Sequence, residues 1–259
     1  MANNFTSATP NLNAAYTAQT NFGIYNRQIW TRIPNNTTAV SASTGGQCTA
    51  QRYPIRPAIP SVGAGCDGFI ATGISLVSAA TSNLTIVGLE YLLGTITLPG
   101  TFTDGVVMPT KKVRGASIQT AASMVFGVVS TAVVGTSAVN ITYTDQDGNT
   151  GNTMTFTTPA GPQLSTALLL SNRFASGDTG IRDITAMTQS GGTSGAIQIY
   201  GILPLHIEYQ LNANSPVSIL SNPIVPYLLE PGEFLGFYRL FQNGTVEMYA
   251  SINLTPEPT

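Results

Sequence analysis

Side chains that do most enzyme chemistry are scarce in this chain, which holds one histidine, two cysteines and twelve acidic residues. His206 is therefore the only base available to a Ser-His-Asp or Cys-His arrangement. It lies in PLHIEYQL, where His206, Glu208 and Gln210 alternate with other residues as on one face of a strand, and it reads as an ordinary half-exposed strand histidine. Structural zinc needs four ligands, and Cys48, Cys66 and His206 supply three at most, without CxxC spacing. The cysteines are 18 positions apart and suit one disulfide or two thiols. The first twenty residues show neither a basic nor an apolar leader region, so reduced thiols are the expectation. Glycosidase chemistry requires two carboxylates converging across a cleft, and the candidates Asp178, Asp183, Glu230 and Glu233 all sit in turn-like settings. Asp178 and Asp183 read as a turn residue and a partner for Arg182 or another arginine. No GxxxxGK[ST] or GxGxxG motif follows a strand and opens a helix. These observations assign no catalytic residue and no cofactor, and they point to a non-enzymatic protein.

One stretch carries metal-ligand chemistry. In ITYTDQDGNTGNTMTFT, residues 141 to 157, Asp145, Asp147 and Asn149 stand at alternate positions, as oxygen donors do at the front of a calcium loop. The bidentate glutamate expected at the twelfth position is Phe156. A hairpin turn is the preferred reading, because Asp147, Gly148 and Asn149 tolerate positive φ and are flanked by pleat-forming Tyr143, Thr144, Met154 and Phe156.

The elements that must position these residues are strands. Twenty-six glycines, sixteen prolines and abundant Thr disfavour long helices, and turn signals recur every eight to twelve residues. The fold class read from this pattern is all-β: an antiparallel β-sandwich or jelly roll with an extended N-terminal arm and little helix. Strands are expected in residues 69 to 98, as three segments broken near Ser82 and Gly94, and near Ile181 to Thr188 and Ala196 to Leu203. Leu164 to Leu170 reads as a short helix or strand. Asn243-Gly244, between GFYRLFQ and TVEMYAS, predicts a two-residue type I′ hairpin. Residues 115 to 144 carry no charge and are long enough for a membrane span. Their Ser, Thr and β-branched content instead predicts two buried strands turning at Gly135 and Thr136.

Residues 1 to 68 are expected to form an arm and connector, and residues 69 to 259 the body, with a possible division near 115. In the arm, Phe22, Tyr25, Arg27, Trp30 and Arg32 interleave aromatic rings with guanidinium groups, and they read as a strand or arm docking onto the body or a neighbour. Pro54, Pro57 and Pro60, evenly spaced, suit a polyproline II segment in which Tyr53 and Arg56 meet a partner or a connecting surface. Charged residues make up only 8% of the chain, against about a quarter in ordinary soluble proteins. Such a surface is expected to be covered partly by other protein. The net charge is −2 and the ten basic residues are scattered apart from Lys111, Lys112 and Arg114, so neither nucleic acid nor membrane is an expected partner.

Two phrases, ITYTDQDGNTGNTMTF and SGDTGIRDITAMTQSGGTSGAIQIYGILPL, resemble β-rich virion structural proteins of tailed double-stranded DNA bacteriophages, including capsid decoration and cement proteins. The likeness spans residues 140 to 205. It implies a virion protein assembled in the host cytoplasm, partnered by the major capsid protein or other virion proteins. A symmetric homo-oligomer such as a trimer is part of that implication. It also has the flavour of tail, baseplate or fibre components that bind receptors or glycans.

Overall fold

The structure is a computed structural model that describes residues 16–21, 26–33, 43–44, 47–52, 56–62, 65–78, 82–113, 115–158, 166–211, 217–220, 227–240 and 248–258; for 16–51, 82–84, 208–220 and some flanking positions it describes the backbone alone. In chain order the strands are β1 (Tyr16–Asn21), β2 (Asn26–Ile33), β3 (Ser43–Thr44), β4 (Gln47–Arg52), β5 (Cys66–Ser78) and β6 (Ser82–Leu98). Next come β7 (Thr101–Asp104), β8 (Thr110–Val113), β9 (Ala116–Gln119), β10 (Met124–Val134), β11 (Ser137–Asp145) and β12 (Asn152–Thr158). The last are β13 (Thr166–Leu169), β14 (Ile181–Gly191), β15 (Ser194–Leu211), β16 (Val217–Leu220), β17 (Leu235–Leu240) and β18 (Met248–Pro258). A single 3-10 turn, Ser171–Arg173, is the only helical element among the described residues. The all-β, antiparallel class expected from the turn spacing is the class observed.

The pairings make one closed layer, two smaller sheets and a separate two-stranded ribbon, β8-β9. β13, β10, β15, β6, β17 and β4 are hydrogen-bonded in that order, and β4 also pairs with β13, so the six strands form a ring without a free edge. Closure satisfies the backbone groups that an open sheet would leave at its rims. A five-stranded sheet runs β1-β2-β18-β5-β16, and a three-stranded sheet runs β12-β11-β14. One continuous core joins all three. It takes Phe69, Ile74 and Leu76 from β5 and Ile252 from β18, Val87, Leu89 and Ile96 from β6, Val125 and Val129 from β10, and Val139, Ile141, Tyr143, Phe156 and Ile184 from the three-stranded sheet. The alternation of buried and outward positions along β11 and β12 is what a half-buried strand requires. A second core, Ile86, Phe126, Val128, Ala167, Tyr200, Ile202 and Tyr238, occupies the other face of the ring strands and fills the barrel.

Several expected elements are observed with altered limits. The uncharged run forms β10 and β11, with Gly135 at φ +79 in the turn, and also a third, exposed strand, β9, that was not expected. No helix among the described residues is long and apolar enough to cross a membrane. Residues 69 to 98 hold two long strands rather than three. β6 passes through Gly94 because Leu93 bulges out between the Gly94–Ile199 and Leu92–Tyr200 pairs, which absorbs the irregularity without ending the strand. The hairpin predicted around Asn243-Gly244 has its turn outside the described residues, and among the described residues β17 and β18 do not pair with each other. β17 is held between β6 and β4, and β18 between β2 and β5, so both edges of each are already taken. The segment Asn26–Ile33 docks onto the body, adding β2 beside β18 along the register Arg27–Leu254 to Ile33–Met248.

Candidate functional site

The polar side chains that the fold concentrates lie at one end of the barrel and beside it. Glu90, at the middle of β6, points into the barrel with its carboxylate fully buried. Arg52, the last residue of β4, grips it in two places, Nε to Oε2 at 2.9 Å and Nη2 to Oε1 at 2.6 Å. Tyr238 Oη donates to Oε2 at 2.7 Å. Arg56 Nε lies 2.8 Å from Oε1, an ion pair in which the N–H is not aimed at the oxygen. The guanidinium of Arg52 stacks over Tyr200 at 4.3 Å from the ring centroid, and that of Arg56 lies 4.8 Å from Phe234 and 5.6 Å from Tyr200. Tyr238 stacks in turn on Phe126 at 4.1 Å, a pair worth about 0.5–1.5 kcal/mol beyond its area.

The local reasons for this arrangement are visible in the strands. Tyr238 and Arg52 are register partners, so both enter the barrel at one level. Gly236, two residues earlier on the same face of β17, makes room for the acid, since a Cβ there would stand 2.6 Å from Glu90 Oε2. Burial opposes the charge of Arg52, but the hydrogen bonds and charge of Glu90 outweigh it and raise the pKa. Burial first, and Glu90 second, push Tyr238 well above an ordinary phenol, so it stays a donor at all physiological pH.

A second network lies outside the barrel. Lys111 is fully buried and its Nζ donates to Glu233 Oε1 at 2.6 Å, with Glu230 Oε2 at 3.8 Å. Tyr91 Oη also donates to Glu233. Lys112, by contrast, is half-exposed and pairs with Asp67. The basic group expected around Lys111 is thus divided between an interior and a surface role. Glu230 and Glu233 share one turn instead of facing each other across a cleft.

At the 145–152 hairpin the acid is an organiser of the turn. Asp145 Oδ1 accepts from the backbone N–H of Asp147 (2.8 Å) and Asn149 (2.9 Å), and Oδ2 accepts from the amides of Asn149 (2.8 Å) and Asn152 (3.2 Å). The Asn149 amide bond leads the causes that hold its carboxyl below the usual range, against the cost of burial. Gly148, at φ +92, supplies the left-handed step. The oxygens that calcium would require from Asp145 already hold four N–H donors. Among the described residues no three His, Cys, Asp or Glu side chains come together to hold a metal. The hairpin is anchored to the next loop: Tyr143 Oη donates to Asp178 at 2.6 Å, and Gln146 Oε1 accepts from the N–H of Thr179 and Gly180. Burial and the Asp178 bond push the Tyr143 phenol up to about 12.

Other expectations are corrected. Asp183 makes no ion pair with Arg182 among the described residues. Arg182 donates to the Gln146 carbonyl, while burial and the nearby Asp104 raise the Asp183 pKa. His206 is buried rather than half-exposed, on the part of β15 beyond β10 where it pairs with Val87 of β6. Cys66 is a free, half-buried thiol. Of the expected interaction residues, Arg56 enters the barrel network. Arg27, Trp30 and Arg32 stand in β2, where the backbone is described, and Phe22, Tyr25 and Tyr53 lie outside the described residues. Sequence reasoning missed Glu90, Tyr238 and Lys111. A lone acid amid the apolar residues of β6 was the available signal, since a buried carboxylate demands partners.

No protein-family model matches the chain, and no curated protein matches it. Solved structures to which it is similar include the VP2 subviral particle of infectious bursal disease virus, at 11% identity over 94% of this chain and 82% of that one, with a TM-score of 0.19. Another is VP1 of Trichodysplasia spinulosa-associated polyomavirus in complex with GM1 oligosaccharide, at 12% identity over 92% of this chain and 97% of that one, with a TM-score of 0.17. At TM-scores this low the likeness carries no argument about fold or function.

Proposed function

We propose that this chain is a non-enzymatic structural protein of a virus particle. In this reading it is an auxiliary decoration or cement protein that bridges and stabilises capsomers as a symmetric oligomer, a trimer. The observation that carries the reading is the outward face of the three-stranded sheet. Asn140 on β11, Thr153, Thr155 and Thr157 on β12, and Thr185, Thr188 and Ser190 on β14 are all exposed, and none is charged. The register sets Asn140 between Thr155 and Thr188, so the hydroxyls form rows across the sheet. Covering these positions desolvates no ion, Asp183 lying further along the sheet opposite Thr144, and each hydroxyl both donates and accepts. One small sheet face buries less than a standard interface, which fits many weak contacts added by symmetry. The segment before β1 extends this reading as the part that reaches across a junction, whereas the expected Pro-spaced connector is, over residues 57 to 59, bonded to residues 232 to 235 of its own chain with Ile59 in the core.

A test separates the arm from the face. Deleting residues 1 to 30 would also remove β1 and most of β2, which pairs with β18, so the informative truncation is residues 2 to 15. That truncation and Thr155→Lys should each lower occupancy on purified particles while leaving the circular dichroism spectrum intact. Full occupancy of both variants would overturn the proposal. The same hydroxyl rows favour a second reading, a tail, baseplate or fibre component that binds neutral glycans. Binding of the purified protein to a glycan array, lost in Thr155→Lys, would select it. A glycan-cleaving enzyme would instead release product and lose that activity with a single Asp or Glu substitution.

A further inference from the structure

The charges in the barrel do not balance. Two guanidinium groups, Arg52 and Arg56, face one carboxylate, Glu90, which leaves one positive charge. Both oxygens of Glu90 are already engaged, by the two-point grip of Arg52 and by Tyr238. Arg56 Nε, 2.8 Å from Glu90 Oε1, makes no aligned hydrogen bond, and no second carboxylate lies within ion-pair distance of Arg56 among the described residues. A partly exposed guanidinium in surplus over the one carboxylate it shares marks a place where a further anion is stabilised. The site is reachable: the Arg56 side chain is 30% exposed, whereas that of Arg52 is 11% exposed. Phe234, 44% exposed, lies over the Arg56 guanidinium and forms an apolar wall at the opening. Aromatic walls exclude water and strengthen a charge pair formed between them.

We propose that this end of the barrel is a carboxylate-binding site, with Arg56 as the primary ligand, Phe234 and Tyr200 as its walls, and Glu90 and Arg52 as the groups that hold Arg56 in place. A monoanion cancels the single surplus charge, whereas a phosphate dianion would set excess negative charge beside the buried Glu90. The planar fork of arginine suits two carboxylate oxygens. The carboxylate arrives either on a small organic acid or on an Asp or Glu of another chain. The inference is independent of the virion reading, because it rests on the barrel interior and not on the outer sheet.

The test follows the arginine Nε–Hε resonances of the full-length 15N-labelled protein during titration with sodium acetate at constant ionic strength. One resonance should shift saturably, and Arg56→Gln should abolish the shift while leaving the thermal midpoint close to that of the parent. Arg56→Lys keeps the charge but loses the fork, and should weaken acetate binding about tenfold. Phe234→Leu should weaken it by a smaller factor. An acetylated, amidated Gly-Asp-Gly peptide distinguishes the source: saturation by the peptide supports a protein carboxylate, and saturation by acetate alone supports a small organic acid. Absence of any saturable shift would overturn the proposal. So would an unchanged response in Arg56→Gln, or equal affinity for inorganic phosphate.

Discussion

Two acids in this protein are buried and satisfied in opposite ways. Every hydrogen-bond partner described for the Asp145 carboxylate lies within seven residues of it along the chain. The partners of Glu90 lie 38 residues away at Arg52 and 148 residues away at Tyr238. Asp145 organises a turn that its own neighbours already favour, whereas Glu90 is satisfied only after β4, β6 and β17 have closed the barrel. A local network of this kind should form early and fail locally. A long-range one should fail together with the whole fold.

Substitution at Glu90 should break the comparison open most widely. Glu90→Ala leaves two guanidinium groups without their counter-charge and should cost about 3–5 kcal/mol in denaturant-induced unfolding, lost cooperatively across the molecule. An effect confined to a few amide protons would show that the barrel does not depend on the pair. Next in size is Gly236→Ala. Its new Cβ would press on Glu90 Oε2, which Arg52 and Tyr238 hold in place, and about 1–3 kcal/mol of overpacking cost is expected from the same unfolding measurement.

Asp145→Asn should do less, and in one place. Hydrogen exchange should accelerate in residues 142 to 154 and stay unchanged in β6 and β17. The pKa of Asp145 is lowered by folding, so its contribution is fully present above the ordinary aspartate value near 3.9 and fades as pH falls through the lower folded value. The difference between parent and Asp145→Asn should therefore vanish in strong acid. Asp183 offers the opposite sign. Burial and Asp104 raise its pKa, so its ionised form costs stability once pH rises above the unfolded value. Asp183→Asn should raise the melting temperature slightly at pH 7 and lose that advantage below about pH 3. Smallest of all, calcium should leave the melting temperature unchanged. A rise of several degrees that Asp147→Ala removes would restore the metal reading of the hairpin.

The contrast also explains what could be read in advance. Asp145, Gly148 and Asn149 act through bonds to near neighbours, and the alternation of Ile141, Tyr143, Met154 and Phe156 is itself a record of which face is buried. The hairpin was accordingly legible. Asn243-Gly244 carries an equally strong local signal, yet β17 and β18 part into different sheets because long strands on both sides of each offer more pairing than a two-stranded ribbon. Arg56 stood out beside the prolines, but nothing near it named Glu90, Tyr200 or Phe234 as its neighbours.

By itself, the sequence determined that the chain folds as antiparallel strands with few helical residues, where many of the turns fall, and that little charge is left for the surface. Those properties follow from backbone preferences and the period of two, which act over a few residues. Only the tertiary structure decided that β4 meets β13 to close a barrel and that Lys111 and Glu90 become interior ions. It also left the guanidinium of Arg56 at the barrel opening with a charge to share. Each of these depends on register between strands far apart in the chain, which no local preference encodes.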